Sequence, residues 1–449
     1  MGKYFGTDGI RGIANQGLSA ELAFKVGVAV AAGLIESFGK TPLITIGKDT
    51  RISSDMLEAS LTAGICAGGG NVMPLGVLPT PAVAYLTVKT GADLGIVISA
   101  SHNPFEHNGI KMFNSRGFKL SDELEARIEK LVDGDWAACK KTHGEIGRVI
   151  RDDGRGAEMY INYLASAAET EIKGLRVVLD CANGASAATA SRLFSKFDIE
   201  FEVLHDHPNG TNINTNCGST HMESLSSFVK SGGYDVGVAF DGDADRCLIV
   251  DEQGRMVDGD KIMAVCGRAM MESGKLKNNT IVATVMSNMG FHEYAKNKGI
   301  NLMCAAVGDR NVLEMMQANG CNLGGEQSGH LIFLDDATTG DGQLAAVKFL
   351  SLLEASGKKV SELIGEIPEY PQVLINVPVE GGNAAKNAIM ASADLAKAID
   401  EAGKKLAGQG RVLIRPSGTE ALIRVMVEAK TDTDAMDTAQ GLAELIKSL

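Results

Sequence analysis

The chain has 449 residues, of which 45% are hydrophobic and 22% charged, an ordinary globular composition with enough apolar material for large cores. Its 56 acidic and 43 basic side chains give a formal charge of −13, which excludes a general attraction to nucleic acid or to anionic membranes. If the ligand is an anion, local Lys and Arg must bind it against that field.

The opening MGKYFGTDGIRG has no apolar core of signal-peptide length, and no run of about 18 apolar residues occurs, so a cytoplasmic chain without a transmembrane helix is expected. Helical patterns at 19–38, 54–67, 122–132, 219–231 and 344–355 alternate with short β-branched runs. Those runs lie at 43–46, 94–98, 176–179, 236–240, 247–250, 281–285 and 373–377. The alternation predicts an α/β fold, with strand ends that turn through polar, Gly-rich loops where ligands bind. Gly39-Lys40-Thr41 resembles the end of a P-loop, but position 34 is Leu, so it reads as a helix C-cap leading into a strand. Breaks near 152–156, 254 and 369–371 divide the chain into 1–153, 154–254, 255–369 and 370–449. The last part reads as a small α+β unit, and no strong internal repeat is visible.

The eight cysteines, Cys66, Cys139, Cys181, Cys217, Cys247, Cys266, Cys304 and Cys321, contain no C-x-x-C pair. Their spacing predicts reduced, buried thiols rather than a zinc site or a disulfide framework.

Five segments carry chemistry. Ser99-Ala100-Ser101-His102-Asn103-Pro104 follows an apolar strand and reads equally as an exposed serine or as a Ser-rich turn. The G-x-S-x-G of serine hydrolases is absent. Asp241-Gly242-Asp243-Ala244-Asp245-Arg246 places three carboxylates at alternate positions between two strands. In a tight loop they converge on one hard cation; a solvated acidic turn is the plainer alternative. It is no EF-hand, because the sixth position is Arg246 rather than Gly. Gly324-Gly325-Glu326-Gln327-Ser328-Gly329-His330 suits hydrogen bonding to sugar hydroxyls, though a structural turn fits as well. Arg415-Pro416-Ser417-Gly418-Thr419-Glu420, with Arg424 beyond it, combines backbone amides for an anion nest with two guanidinium groups. It also reads as a capped turn. The loops at 6–12 and 47–51 carry basic residues that either help hold a phosphate or simply turn the chain.

Together these segments resemble the α-D-phosphohexomutase superfamily over nearly the whole chain. The phosphoserine loop matches 99–104, continued by Asn108-Gly109-Ile110-Lys111, and the metal loop matches 241–246. The sugar and phosphate loops match 326–330 and 415–420. Within the superfamily, the phosphoglucosamine mutase branch is the nearest. The matching segments are 5–12, Asp180-Cys181-Ala182-Asn183-Gly184-Ala185, Asn212-Ile213-Asn214, 217–221 and Val307-Gly308-Asp309-Arg310. Gln327 points the same way. Lys48, Phe105 and Ala421 depart from the pattern, and none removes a catalytic group.

The resemblance implies three related α/β domains and a smaller, mobile α+β domain around a central cleft. It implies phosphorylated Ser101 as donor and Mg²⁺ on Ser101, Asp241, Asp243 and Asp245. Arg246 and Arg11 are expected to stabilise phosphate charge. Glu326, Gln327 and Ser328 are expected on the sugar, and Arg415, Ser417, Gly418, Thr419 and Arg424 on its phosphate. Lys111 and His330 are the acid and base candidates, and His102 assists. The expected reaction converts glucosamine 6-phosphate to glucosamine 1-phosphate through glucosamine 1,6-bisphosphate, in the supply of UDP-N-acetylglucosamine for peptidoglycan. The partners implied are hexosamine phosphates and, by likeness to bacterial relatives, a second copy of the chain. A glucose or mannose phosphate mutase, a phosphatase or esterase, and a non-catalytic sugar-phosphate sensor are the competing readings.

Overall fold

The computed structural model describes residues 2–6, 8–417 and 421–449. They form two compact units, one of residues 1–285 and 300–365 and one of residues 286–299 and 366–449.

The first unit contains three sheets. The six-stranded sheet runs Phe5–Gly6, Gly9–Ile13, His107–Asn114, Leu94–Ile98, Leu43–Lys48, Asn71–Val77. The five-stranded sheet runs Met256–Val257, Cys247–Asp251, Val236–Phe240, Lys173–Asp180, Asp198–Leu204. The four-stranded sheet runs Asn301–Ala305, Thr280–Thr284, Leu323–Gly325, Leu331–Phe333.

A repeat that side-chain identities hide appears in the strand order. In each sheet the first strand of the motif pairs in parallel with its second and its third, and the third pairs antiparallel with a fourth. The third-to-fourth connections are residues 99–106, 241–246 and 326–330. Each therefore leaves the carboxyl edge of a parallel pair, where open α/β sheets bind ligands.

The helices follow from the local sequence. Ala20–Phe38 starts at Ser19, whose Oγ accepts the Leu22 N–H at 3.1 Å, and stops at left-handed Gly39, whose N–H reaches Ile35 O at 2.8 Å. That confirms the C-cap reading of Gly39. Its buried face (Ala23, Val26, Val30, Leu34) packs on Leu57, Leu61 and Ile65 of Ile52–Ala67 and on the first sheet. Most boundaries differ from expectation by a few residues, two of them as follows. The helix expected over 219–231 is Glu223–Gly232, because Gly218 at φ 70° opens a separate short 3-10 turn, Gly218–Thr220. The strand expected over 281–285 is Thr280–Thr284, buried throughout.

The second unit is a smaller α+β fold. Its sheet, Gln372–Pro378, Leu422–Ala429, Gly410–Pro416, is antiparallel throughout. Val377, Ile423, Val425 and Val427 pack against Leu442 and Ile446 of Asp432–Ser448. Fully buried Glu428 accepts from Arg411 Nε at 2.7 Å and from the Met289 N–H at 3.1 Å, which fastens helix Met289–Lys298 to this sheet. Among the described residues no helix is long and apolar enough to cross a membrane.

Candidate active site

Strand Leu94–Ile98 is buried at every position and delivers the chain to Ser101, which is itself only 2% exposed. Ser101 sits at φ 53°, a left-handed conformation that costs about 1–2 kcal/mol for a non-glycine residue. Its surroundings over-determine that shape. Ser99 Oγ accepts the Ser101 N–H at 2.9 Å. Arg51, almost fully buried, donates from Nη2 to Ser101 O and Asn103 O, both at 2.8 Å, and from Nη1 to Pro104 O at 2.5 Å. Asn214 adds Nδ2 donations to the same Ser101 O (2.9 Å) and Asn103 O (3.1 Å). Asp49 neutralises Arg51 at 2.8 Å and also accepts from Ser99 Oγ at 2.6 Å.

The loop at 47–51, left open as a phosphate contact or a plain turn, is thus a clamp on the serine loop's backbone. Its other cation, Lys48, is spent on Asp55 and Glu58.

The acidic loop converges as expected. One carboxylate oxygen from each of Asp241, Asp243 and Asp245 lies within 4.8 Å of the others, and all three residues are buried. Ser101 Oγ donates to Asp241 Oδ2 at 2.6 Å. Burial, then Asp245 and Asp243, push the Asp241 carboxyl well above the ordinary carboxylate range. Asp243 Oδ1 and Asp245 Oδ1 are buried without a hydrogen-bond partner. Orphaned carboxylate oxygens beside a serine hydroxyl fit a hard divalent cation, which prefers oxygen ligands and removes the repulsion.

Arg246 lies against this group, its buried Nε without a hydrogen-bond partner. Although burial opposes its charge, Asp241, Asp245 and Glu326 hold the guanidinium more firmly protonated. His102 Nδ1 is 3.3 Å from Ser101 Oγ, and burial, then Arg246, lowers the ring to about 4, so it is neutral at pH 7.

The acid and base candidates belong to a closed ring of alternating acidic and basic side chains. Asp245 is 3.8 Å from Lys111, Lys111 3.1 Å from Asp8, and Asp8 2.6 Å from Lys119. Lys119 is 2.5 Å from Asp309, Asp309 3.9 Å from His330, and His330 3.6 Å from Asp245. Lys111 also donates to Asp243 Oδ2 at 2.9 Å, and Arg11 pairs with Asp8. Burial works against the Lys111 charge, but Asp243, Asp8 and Asp245 outweigh it and raise its pKa.

For His330, burial is likewise outweighed by Asp245, Asp309 and Glu326, and the ring is pushed up to about 9. The Gly340 N–H nonetheless points at His330 Nε2 from 3.1 Å, which requires a lone pair there. That contact engages Nε2, while the surrounding carboxylates favour a proton on the ring.

Asp8, Lys119, Asp309, Arg51 and Asn214 were not singled out as site residues. Asp8 and Asp309 stood within recognised segments, whereas Lys119 carries no local signal at all.

In the sugar loop, Glu326 Oε1 accepts the Gly308 N–H at 3.0 Å, Gln327 Nε2 donates to Asp258 Oδ2 at 3.1 Å, and Ser328 is exposed. In the second unit, Arg415 and Arg424 are direct cross-strand partners. Buried Lys386 donates to Ser417 O at 2.6 Å. The Ser417 N–H donates to Leu422 O at 2.9 Å, so it closes the hairpin rather than lining the expected anion nest. Gly418 and Thr419 lie outside the described residues.

A buried serine hydroxyl, a carboxylate triad and a partly buried arginine on successive hairpin loops have the chemistry that phosphoryl transfer requires. The chain belongs to the phosphoglucomutase/phosphomannomutase family. The models of its alpha/beta/alpha domains I, II and III match residues 2–137, 158–254 and 258–370, and that of the C-terminal domain matches 374–445. Among relatives, it is 51% identical over 448 residues to a phosphoglucosamine mutase of Acetivibrio thermocellus, covering 100% of this chain and 98% of that one. Its fold matches a phosphoglucomutase/phosphomannomutase family protein of Burkholderia thailandensis (TM-score 0.80, 23% identity, 99% and 97% of the two chains). It also matches the N-acetylphosphoglucosamine mutase of Aspergillus fumigatus, solved with GlcNAc-6P and magnesium (TM-score 0.70, 18% identity, 99% and 95%).

Proposed function

We propose that the chain is a phosphoglucosamine mutase that interconverts glucosamine 6-phosphate and glucosamine 1-phosphate through a 1,6-bisphosphate. The observation that carries this reading is the Ser101 hydroxyl seated on Asp241 beside two orphaned carboxylate oxygens, in a chain 51% identical to a phosphoglucosamine mutase over its full length. The Aspergillus relative's magnesium and amino-sugar phosphate support the same ligand classes.

Ser101 Oγ carries the phosphoryl group, gives it to the sugar 1-hydroxyl and receives it back from the 6-position. In the first transfer the Oγ–P bond breaks as the O1–P bond forms, and the hydroxyl proton passes to a base. His330 and Lys111 are the acid and base candidates, and Lys111, held charged, is the better proton donor. Arg246 and Arg11 offset the charge on the moving group. Asp241, Asp243 and Asp245 would hold Mg²⁺, which when bound would supply Lewis-acid neutralisation of phosphoryl charge.

Glu326, Gln327 and Ser328 read the sugar, and Arg415, Arg424, Ser417, Gly418 and Thr419 its distal phosphate. The segments 1–153, 154–254, 255–369 and 370–449 each supply one loop. Eight unpaired thiols suit a reducing, cytoplasmic setting, and a homodimer is the assembly to test by sedimentation.

The deciding experiment compares kcat/KM for glucosamine 6-phosphate, glucose 1-phosphate and mannose 1-phosphate, with Mg²⁺ and a bisphosphate activator. An amino-sugar preference of about tenfold or more, ~1.4 kcal/mol in transition-state binding, supports the reading. Equal or better hexose rates overturn the substrate assignment, and substantial turnover by Ser101→Ala overturns the phosphoserine.

A further inference from the structure

Cysteine spacing predicts no zinc site, yet the fold assembles a mixed ligand set from three separate segments. Asp180 ends strand Lys173–Asp180, and His205 follows the adjacent parallel strand Asp198–Leu204. Cys217 immediately precedes the turn Gly218–Thr220. One ligand atom from each of Asp180, His205 and Cys217 lies within 4.8 Å of the other two. Asp180 and Cys217 are fully buried, while the His205 side chain is 29% exposed and opens the cluster to solvent.

Among the described residues the charge partner of Asp180 is His205. Asp180 accepts the Ala182 N–H at 2.9 Å on Oδ1 and the Gly218 N–H at 3.0 Å on Oδ2. No Lys or Arg ion pair to Asp180 occurs among the described residues. A further carboxylate, Asp206, also acts on His205 and is paired with exposed His207. A buried carboxylate without a fixed cation needs either an imidazolium or a metal.

His205 Nδ1 is buried and only 3.1 Å from Asp180 Oδ2, yet it is not aligned for a hydrogen bond to any acceptor. Two ligands of one tetrahedral ion, each bound at about 2.0–2.2 Å, stand roughly 3.3 Å apart. The Cys217 sulfur accepts an N–H from Asn183 at 3.8 Å, the kind of outer contact that orients a thiolate ligand. Sulfur, imidazole nitrogen and carboxylate oxygen together select a borderline-soft ion over magnesium, which prefers oxygen alone.

We propose that Asp180, His205 and Cys217 form a second cation site, of the zinc class, separate from the three-aspartate loop. Binding forms a metal–sulfur bond, and the thiol proton leaves to solvent. The site is one loop away from the nucleophile. The Asn214 N–H donates to Ala182 O at 2.9 Å, and its side chain holds Ser101 O and Asn103 O. An ion joining Asp180, His205 and Cys217 therefore fastens the two segments on which the serine loop rests.

The test titrates the full chain, reduced and in saturating Mg²⁺, with Co²⁺ as a spectroscopic stand-in. The expected result is a thiolate-to-Co²⁺ charge-transfer band that saturates at one ion per chain and is displaced by Zn²⁺. Cys217→Ser abolishes the band. His205→Gln, at a partly exposed position, weakens Zn²⁺ binding at least about tenfold. Paired Asp241→Asn and Asp243→Asn leave the band intact. Absence of the band in the unaltered chain, its survival in Cys217→Ser, or its loss in the paired aspartate variant overturns the proposal.

Discussion

Ser101 Oγ and Asp241 Oδ2 meet at 2.6 Å although their loops belong to different sheets, the first carrying the serine and the second the carboxylate. Burial and the neighbouring Asp245 and Asp243, rather than this contact, make the aspartate costly in the free protein. Asp241→Asn is expected to raise stability without divalent ions by about 1–2 kcal/mol, because it removes a buried like charge. The same variant loses the Mg²⁺-dependent rise in Tm and at least about a hundredfold in turnover. Calorimetry with and without Mg²⁺ checks both signs.

Lys111 is the cation on which Asp8, Asp243 and Asp245 all depend. Lys111→Met leaves these carboxylates without it and is expected to cost about 3–5 kcal/mol, the usual penalty for breaking a buried ionic group. Urea denaturation measures it. A loss below about 1 kcal/mol, the range of exposed pairs, would contradict the ring.

Asn214 acts only through the serine loop's backbone. Asn214→Ala is expected to lower kcat about tenfold or somewhat more, the equivalent of one or two hydrogen bonds, with KM nearly unchanged. Asn214→Asp keeps the size but loses both donations and should not rescue the rate. Steady-state kinetics on phosphorylated enzyme separates this from a folding defect, which would lower active-site concentration and leave kcat per phosphorylated site intact.

Asp341 gives a pH signature for stability. It caps helix Gly342–Ser356 through the Leu344 N–H at 3.0 Å and accepts Tyr160 OH at 2.8 Å, yet burial raises its carboxyl to about 6. The folded state therefore holds the proton more tightly than the unfolded chain does. This group's contribution is most favourable below the ordinary carboxylate pKa and is lost as pH rises to about 6. Asp341→Asn keeps the cap, so its stability relative to the parent should rise by up to about 3 kcal/mol between pH 4 and pH 7. Denaturation midpoints of both proteins at the two pH values test it.

Much of the architecture was written locally. Period-3.6 and apolar runs located the helices and strands, and Ser19 and Gly39 bounded the first helix, because caps and periodicity act over a few residues. The Ser101, Asp241–Asp245 and Glu326–His330 segments were recognisable because each is one continuous hairpin connection. Three things could not be read that way. The topological repeat lies in hydrogen-bond order rather than in side chains. Lys119 gained its role only when the fold set Asp8 and Asp309 on either side of it. The loop at 47–51 read as a phosphate contact or a plain turn until burial turned the Arg51 donors onto backbone carbonyls and Asp49. The chain's own order determined its elements and its reactive loops. Only the tertiary structure decided which charges neutralise one another, because that depends on distances of a few ångströms between residues a hundred or more positions apart.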